Sequence, residues 1–192
     1  APAISELVST YPKLEPVLIS NDSKLNLLDE NIDLAIRIGR SKENQLMQRR
    51  IGGFRDVLCK SKSLLKNGKT EPYVYVANTW QEPKIEHKFV DQKSGKSFIF
   101  TANAQCRSDS FYTCLSLIKS GAGIGLIPDF LFETASSSIV EVFPTYQLAL
   151  NSIYALHPYD KRLPLSVSVC LQSIERHLSI IEPGRYLPLE KK

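Results

Sequence analysis

The stretch Glu30-Asn31-Ile32-Asp33-Leu34-Ala35-Ile36-Arg37-Ile38-Gly39-Arg40 contains a short, nearly continuous apolar run that ends at a glycine. A β-branched run of this length, bounded by polar residues, predicts a central strand of a parallel sheet that is buried on both faces. Arg37 is the one charged residue inside the run. Because the carboxyl end of such a strand usually meets a ligand crevice, Arg37 either faces a ligand or is a strand-end arginine that reaches water or an acid.

The composition is that of an ordinary globular protein. Of the 192 residues, 43% are hydrophobic and 23% are charged, with a net charge of +4, which allows one large domain or two small ones. The charges are scattered, so no nucleic-acid surface is predicted within this chain. The four cysteines are far apart, and neither a membrane span nor a signal peptide is indicated. These features favour buried free thiols and a cytoplasmic location.

Apolar spacing and turn residues predict alternating helices and strands. Helices are predicted near residues 4–11, 25–28, 61–67 and 111–118, after Pro128, and near 167–178, and the cap of the fourth is Ser108 or Asp109. Strands are predicted near residues 14–19, 32–38, 54–59, 73–77, 124–127, 139–143 and 151–157, with a hairpin over 85–100. A polar loop is predicted after Gly39, and Gly52-Gly53 precedes the strand at 54–59. The first two strands should form a parallel βαβ unit.

The sequence contains no pattern typical of catalysis or cofactor binding. The glycines of 121–125 follow a predicted helix and precede a strand, whereas a dinucleotide site needs strand, glycines and then helix. The histidines His87, His157 and His177 are scattered, and His87 is expected to pack or to lie at the surface. No nucleophile elbow or metal-ligand spacing is present. We therefore predict no catalytic residue, no metal, no cofactor and no enzymatic activity.

Several strings, in this order, resemble the effector-binding domain of LysR-type transcriptional regulators. They are Tyr11-Pro12, the segment from Asp29 to Gly39, Leu58-Cys59-Lys60-Ser61, the segment from Gly121 to Pro128, and Tyr154-Ala155-Leu156-His157-Pro158 with Leu163-Pro164. The resemblance covers residues 1 to about 178, and the segment from Asp33 to Gly39 is its most specific part. It implies an α/β fold of the type 2 periplasmic-binding-protein kind, with two Rossmann-like subdomains and a ligand cleft.

The same resemblance implies a division of the chain. Residues 1–59 and 151–182 would form a discontinuous first subdomain, residues 60–150 the second, and 183–192 a tail. The family's winged helix-turn-helix domain and the usual first strand of the effector domain are expected to be absent from this chain. The implied function is effector sensing and oligomerisation, as a homodimer or homotetramer, with DNA bound through the missing domain. The alternative is a periplasmic solute-binding protein of the same fold.

Ligands of open α/β sheets lie beyond the carboxyl ends of strands, where helix N-termini present N–H groups to anions. Three places fit: Ser20, Asn21 and Asp22; Ile38 and Gly39; and Asn78, Thr79 and Trp80 with Ser108 and Asp109. We predict these as contacts for a small-molecule effector, for which an organic acid is one candidate. The turn residues also fit helix caps, Trp80 also fits a core position, and one of the two aspartates should face away from an anion. Since an arginine belongs to the family pattern at Arg37, that residue is expected to have a structural or hinge role.

Overall fold

The computed structural model describes residues 2–20, 30–42, 45–66, 74–160 and 162–181. The chain divides into two compact units, Ala1–Phe54 with Asn151–Lys192, and Arg55–Leu150. No helix within the described ranges is long and apolar enough to cross a membrane.

The described residues form five helices and nine strands. The helices are α1 Pro2–Thr10, α2 Lys62–Lys66, α3 Phe111–Lys119, α4 Asp129–Ala135 and α5 Leu165–Ile181. The strands are β1 Ala35–Ile38, β2 Met47–Ser61, β3 Tyr75–Asn78, β4 Lys84–Asp91, β5 Ser97–Ser108, β6 Ile124–Pro128, β7 Ile139–Glu141, β8 Tyr146–Gln147 and β9 Leu150–His157. The predicted helices at α1, α3, α4 and α5 and the predicted hairpin are thereby confirmed.

In the first unit, α1 packs against α5. The hydroxyl of Ser173 donates to the carbonyl oxygen of Ala3 at 3.1 Å, and the guanidinium of Arg176 pairs with the carboxylate of Glu6. The apolar side of α5 lies on the strands, where Leu171 and Ala155 are buried in one cluster. The helix pair therefore covers its own sheet through a mixture of apolar packing and polar cross-links.

The prediction that residues 32–38 form a central parallel strand is wrong. β1 pairs antiparallel with β9 and stands at the end of the sheet order, and Ile38 is 57% exposed. The expected parallel neighbour at 14–19 is not a strand, and its Val17 is 88% exposed. An apolar run indicates burial but does not specify which strand lies beside it. The helix predicted near Leu25 lies outside the described residues.

In the second unit, parallel and antiparallel pairs share one sheet. β6, β3 and β5 are adjacent and parallel, while β2 pairs antiparallel with β6. The predicted start of this strand at Phe54 is too late, because β2 begins at Met47 and both Gly52 and Gly53 are buried within it. Glycine is depleted in strands but is tolerated where the backbone is tightly packed, so the glycine pair does not mark the beginning of the strand.

Two cores enclose this sheet. On one face α3 and α4 cover a cluster that includes Cys59, Val76 and Ile118. On the other face the β4–β5 hairpin contributes an aromatic cluster around Phe89. All four cysteines are free, as predicted, but only Cys59 and Cys114 are buried, whereas Cys106 and Cys170 are partly exposed. Burial raises the pKa of the Cys59 thiol to about 12. At neutral pH this thiol is protonated and behaves as a small apolar side chain.

Candidate functional site

The carboxyl ends of β3 and β5 meet at one edge of the second unit. Asn78 lies opposite Ser108 in the parallel register, and the amide of Thr79 donates to the carbonyl oxygen of Ser108 at 2.9 Å. The structure thus brings together three of the predicted site residues. We call the residues Asn78–Gln81 and Arg107–Tyr112 the β3–β5 edge.

The turn after β3 is fixed by two side chains that the sequence analysis did not select. The Gln81 carbonyl Oε1 accepts from the amide of Asn78 at 3.0 Å. The Arg107 guanidinium donates from Nη2 to the carbonyl oxygens of Thr79 at 2.9 Å and Gln81 at 2.6 Å. The only sequence signal for Arg107 is its place directly before Ser108-Asp109. These bonds hold the turn in one conformation.

Gln81 also joins this turn to a buried chain of hydrogen bonds through Tyr75 and His87. Gln81 Nε2 donates to the Tyr75 hydroxyl at 3.1 Å, which lies 2.8 Å from Nε2 of His87. Burial raises the pKa of the Tyr75 hydroxyl and lowers the pKa of His87 below its ordinary 6.5. As the pH falls, the imidazole of His87 is therefore protonated in the unfolded chain before it is protonated in the folded one. His87 thus lowers the free energy of unfolding below about pH 6.5. Of the two alternatives predicted for His87, packing or a surface position, the structure gives packing, since its ring stacks on that of Phe100.

Replacing Tyr75 by phenylalanine is expected to lower the free energy of unfolding by about 2 kcal/mol, because a buried donor on Gln81 loses its acceptor. Trp80 is the sole tryptophan, so urea unfolding followed by tryptophan fluorescence reports on this unit. The matched control is Tyr112→Phe, which removes a hydroxyl from an exposed side chain and should change stability by less than about 0.5 kcal/mol. Equal losses in the two variants would contradict the role of the chain.

The first turn of α3 lies at the same edge. Ser110 is the N-cap, and its hydroxyl accepts from the amide of Thr113 at 3.4 Å. The predicted caps Ser108 and Asp109 are therefore wrong: Ser108 Oγ instead accepts from the amide of Ser110 at 3.2 Å, and Asp109 is exposed. The amides of the first helical residues, Phe111 and Tyr112, have no acceptor within the helix.

Trp80 and Asn78 occupy contrasting environments at the β3–β5 edge. Trp80 is 52% exposed, and its ring centroid lies 6.4 Å from that of Phe111, which does not support a core position. Asn78 is only 3% exposed. Its Oδ1 accepts from the amide of Trp80 at 3.4 Å, whereas its Nδ2 has no hydrogen-bond partner in the described part of the chain.

The end of β6 adds a buried carboxylate beside the same edge. Asp129 follows β6, and its Oδ2 accepts from the amide of Arg55 at 2.9 Å while its Oδ1 accepts from that of Phe130 at 2.8 Å. Asp129 therefore joins the start of α4 to β2. Sequence reasoning did not select it, although an acidic residue in the first turn of a helix is a recognisable signal.

The remaining predicted site residues belong to the first unit. Ser20 and Ile38 are exposed. Gly39 has a φ of +80°, a conformation that favours glycine, and its amide donates to the carbonyl oxygen of Ser152 at 2.8 Å. Asn21 and Asp22 lie outside the described residues. Within the described ranges, no group of three or more histidine, cysteine or acidic side chains is placed to hold a metal ion.

Comparison with known proteins identifies relatives of this chain. An uncharacterized HTH-type transcriptional regulator of Haemophilus influenzae is 26% identical over 88% of the chain and 61% of its own length. The HTH-type transcriptional activator AaeR of Escherichia coli is 25% identical over 94% of the chain and 60% of its own length. The chain thus spans about six tenths of the length of these relatives.

Solved structures with the same fold are also regulatory proteins. The CrgA regulatory domain of Neisseria meningitidis superposes with a TM-score of 0.75 at 21% identity, covering 92% of this chain and 90% of that one. Full-length AphB of Vibrio cholerae gives 0.74 at 18% identity, over 92% and 62%. At these identities the likeness shows the fold, and it confirms the predicted α/β, type 2 periplasmic-binding-protein-like class.

A family model provides the assignment. The model described as the LysR substrate binding domain matches residues 1–179. That span includes the whole of the second unit and all of the first except its last 13 residues. The chain belongs to the LysR substrate binding domain family.

Proposed function

We propose that this chain is the effector-sensing and oligomerisation domain of a LysR-type transcriptional regulator that acts in the cytoplasm without catalysing a reaction. The family match over residues 1–179 carries the proposal. In the proposed protein a small molecule binds this domain, and DNA is bound through a domain outside the chain. Self-association into a dimer or tetramer then couples the two events.

The β3–β5 edge supports a binding role for the second unit. Its backbone is fixed by Arg107 and Gln81, while the Asn78 side chain retains an unused buried donor. A rigid turn that presents an unsatisfied polar group is suited to binding rather than to stability, because an unpaired buried amide costs about 1–3 kcal/mol. We propose Asn78, Thr79, Trp80 and Ser108 as effector contacts, with Ser20, Asn21, Asp22, Ile38, Gly39 and Asp109 as further candidates.

The alternative of a periplasmic solute-binding protein is less well supported. The relatives of this chain from Haemophilus influenzae and Escherichia coli carry the names of transcriptional regulators. A solute-binding role would require the protein to bind its ligand without any response in DNA binding. That difference gives a direct experiment.

A thermal-shift screen of a mixed metabolite library against the chain is expected to give at least one stabilising compound, since a ligand at a hundred times its dissociation constant adds about 2.7 kcal/mol. In Asn78→Ala the shift should be lost, and the variant should still fold because it loses only the long 3.4 Å bond from the Trp80 amide to Oδ1, while Nδ2 has no partner in the described part of the chain. The same compound should change the DNA mobility shift of the full-length protein that carries this domain. A screen without hits, or a hit with no effect on DNA binding, would contradict the proposal.

A further inference from the structure

We propose that the β3–β5 edge binds an aromatic carboxylate, with the ring of the ligand against Trp80 and its carboxylate toward Asn78 and the first turn of α3. This inference rests on the proposed function and names the ligand class of the same site. Three independent features of the edge support it: an unused buried donor, an uncapped pair of helix amides and an exposed aromatic ring.

The first feature is the buried donor. Asn78 Nδ2 is shielded from solvent and has no acceptor within the described ranges, and the amide orientation is set because Oδ1 accepts from the Trp80 amide. Asn78 follows Val76 by two positions along β3, and Val76 packs with residues of α3, so the Asn78 side chain lies on the α3 side of the sheet. A ligand that supplies an acceptor here removes the cost of the unpaired group. The preferred partner of an N–H₂ group is an oxygen with free lone pairs.

The second feature is the first turn of α3. The hydroxyl of Ser110 satisfies only the amide of Thr113, so the amides of Phe111 and Tyr112 still point out of the helix. Helix amides carry partial positive charge and favour anions. The Cys114 thiol donates to the carbonyl oxygen of Ala77 at 3.6 Å, which holds this turn directly over the end of β3. We therefore expect the Asn78 side-chain amide and the helix amides to donate hydrogen bonds to the same carboxylate of the ligand.

The third feature specifies the rest of the ligand. The Trp80 ring is half exposed and is packed on one side by Phe111. An exposed indole backed by a second ring offers a flat apolar face to a flat ligand, and aromatic rings prefer offset or tilted contacts at such distances. An aliphatic acid would cover the face less closely. The hydrogen-bond donors at Asn78 and α3, together with the exposed Trp80 ring, therefore favour a planar aromatic acid.

The charges at the edge have opposite effects on an anion. Arg107 is exposed and is held against the Thr79 and Gln81 carbonyls, so its positive charge is fixed near Trp80. Asp109 is exposed beside the first turn of α3, and its negative charge opposes a carboxylate there. Removal of the Asp109 charge should therefore strengthen binding, and this effect separates anion recognition from simple apolar binding.

The shielding of Asn78 implies a local rearrangement on binding. Because Nδ2 is closed to solvent, a ligand reaches it only after a neighbouring group moves. Trp80 follows two residues later in the turn and is half exposed. Binding should therefore alter the surroundings of the only indole in the chain, which makes its fluorescence a local reporter.

Three probes of similar size test the proposal: benzoate, cyclohexanecarboxylate and benzamide. Each is titrated to about 10 mM against the chain, with Trp80 fluorescence and thermal shift as independent readouts. We expect benzoate to change both signals with saturation. Cyclohexanecarboxylate lacks the aromatic ring and benzamide lacks the charge, so each should bind about tenfold more weakly or worse.

Matched variants assign the binding to this edge. Trp80→Leu should weaken benzoate binding about tenfold by thermal shift, whereas Trp80→Phe should keep most of it. Asp109→Asn should tighten benzoate binding about threefold and leave benzamide unchanged. Ile99→Thr changes an exposed apolar residue on β5 and serves as the control with unchanged binding.

The outcomes separate this inference from the proposed function. Equal binding of benzoate and cyclohexanecarboxylate, or no effect of Trp80→Leu, overturns the aromatic class, and equal binding of benzamide overturns the carboxylate. If benzoate fails while the metabolite screen gives an Asn78-dependent hit of another class, the inference falls and the proposed function stands. If both fail, the proposed function falls with it.

Discussion

Replacing Gly123 by alanine is expected to lower the free energy of unfolding of the second unit by about 3 kcal/mol, a large effect for one methyl group. The added Cβ would lie 2.0 Å from the carbonyl oxygen and 2.8 Å from the carbonyl carbon of Val74. These atoms belong to the backbone and cannot rotate away. The same carbonyl oxygen accepts from the amide of Ile124 at 2.9 Å, so relief of the collision must disturb the start of β6.

The measurement is urea unfolding followed by Trp80 fluorescence, with Gly95→Ala as the matched control. Gly95 has a φ of +70°, and a Cβ there meets no atom within 4 Å. Alanine at this position suffers only the conformational penalty, about 1 kcal/mol. If Gly123→Ala is no more destabilising than Gly95→Ala, the close approach of β6 to Val74 is not a constraint on the fold.

Local patterns in the sequence predict the second unit well. The stripe that includes Cys114 and Ile118 predicts α3, and the alternation around Phe98 and Phe100 predicts the hairpin. Each of these patterns is local in sequence, and the apolar side chains that it specifies pack against other residues of the second unit. The sequence is therefore most informative where an element and its core face are specified by the same few residues.

The first unit shows the limit of such patterns. The apolar run ending at Gly39 predicts a strand, and β1 is a strand over Ala35–Ile38, but its neighbour is β9. That pairing joins residues more than a hundred positions apart, for example Ala35 with Leu156. No local periodicity encodes a contact at this separation. The family resemblance supplied the fold class, whereas the local pattern supplied only the existence of the strand.

Some residues of the candidate site could be predicted from the sequence and others could not. Asn78 and Ser108, the polar residues that end β3 and β5, could be selected because carboxyl ends of parallel strands carry ligand contacts. The residues that fix them, Arg107 and Gln81, could not. Arg107 acts through hydrogen bonds to carbonyl oxygens 28 and 26 positions away, and Gln81 acts through side-chain bonds that depend on the folded shape of the turn. The unused Nδ2 of Asn78 is likewise a property of the folded surroundings. Sequence reasoning thus located the edge, and the structure gave its chemistry.

Replacing Ile118 by alanine is expected to cost about 3 kcal/mol of unfolding free energy, because it removes three methyl and methylene groups from a fully buried side chain. Ile118 is 0% exposed and lies between α3 and the sheet, in the cluster with Val76 and Ile127. β6 passes close beneath it, since a Cβ at Gly125 would lie 2.8 Å from Ile118 Cδ1. The cavity left by Ile118→Ala would therefore weaken the packing of α3 against the strands.

This loss should also reach the β3–β5 edge, because the first turn of α3 carries the helix amides there. The graded control is Ile118→Val, which removes one methylene and should cost about 1 kcal/mol. Urea unfolding gives the two free energies, and amide hydrogen exchange of α3 reports whether the helix opens more often in Ile118→Ala. Because α3 is held both by this core and by the Ser110 cap, the exchange should rise along the whole helix. A loss of protection confined to residues next to Ile118 would show instead that α3 keeps its position without this contact.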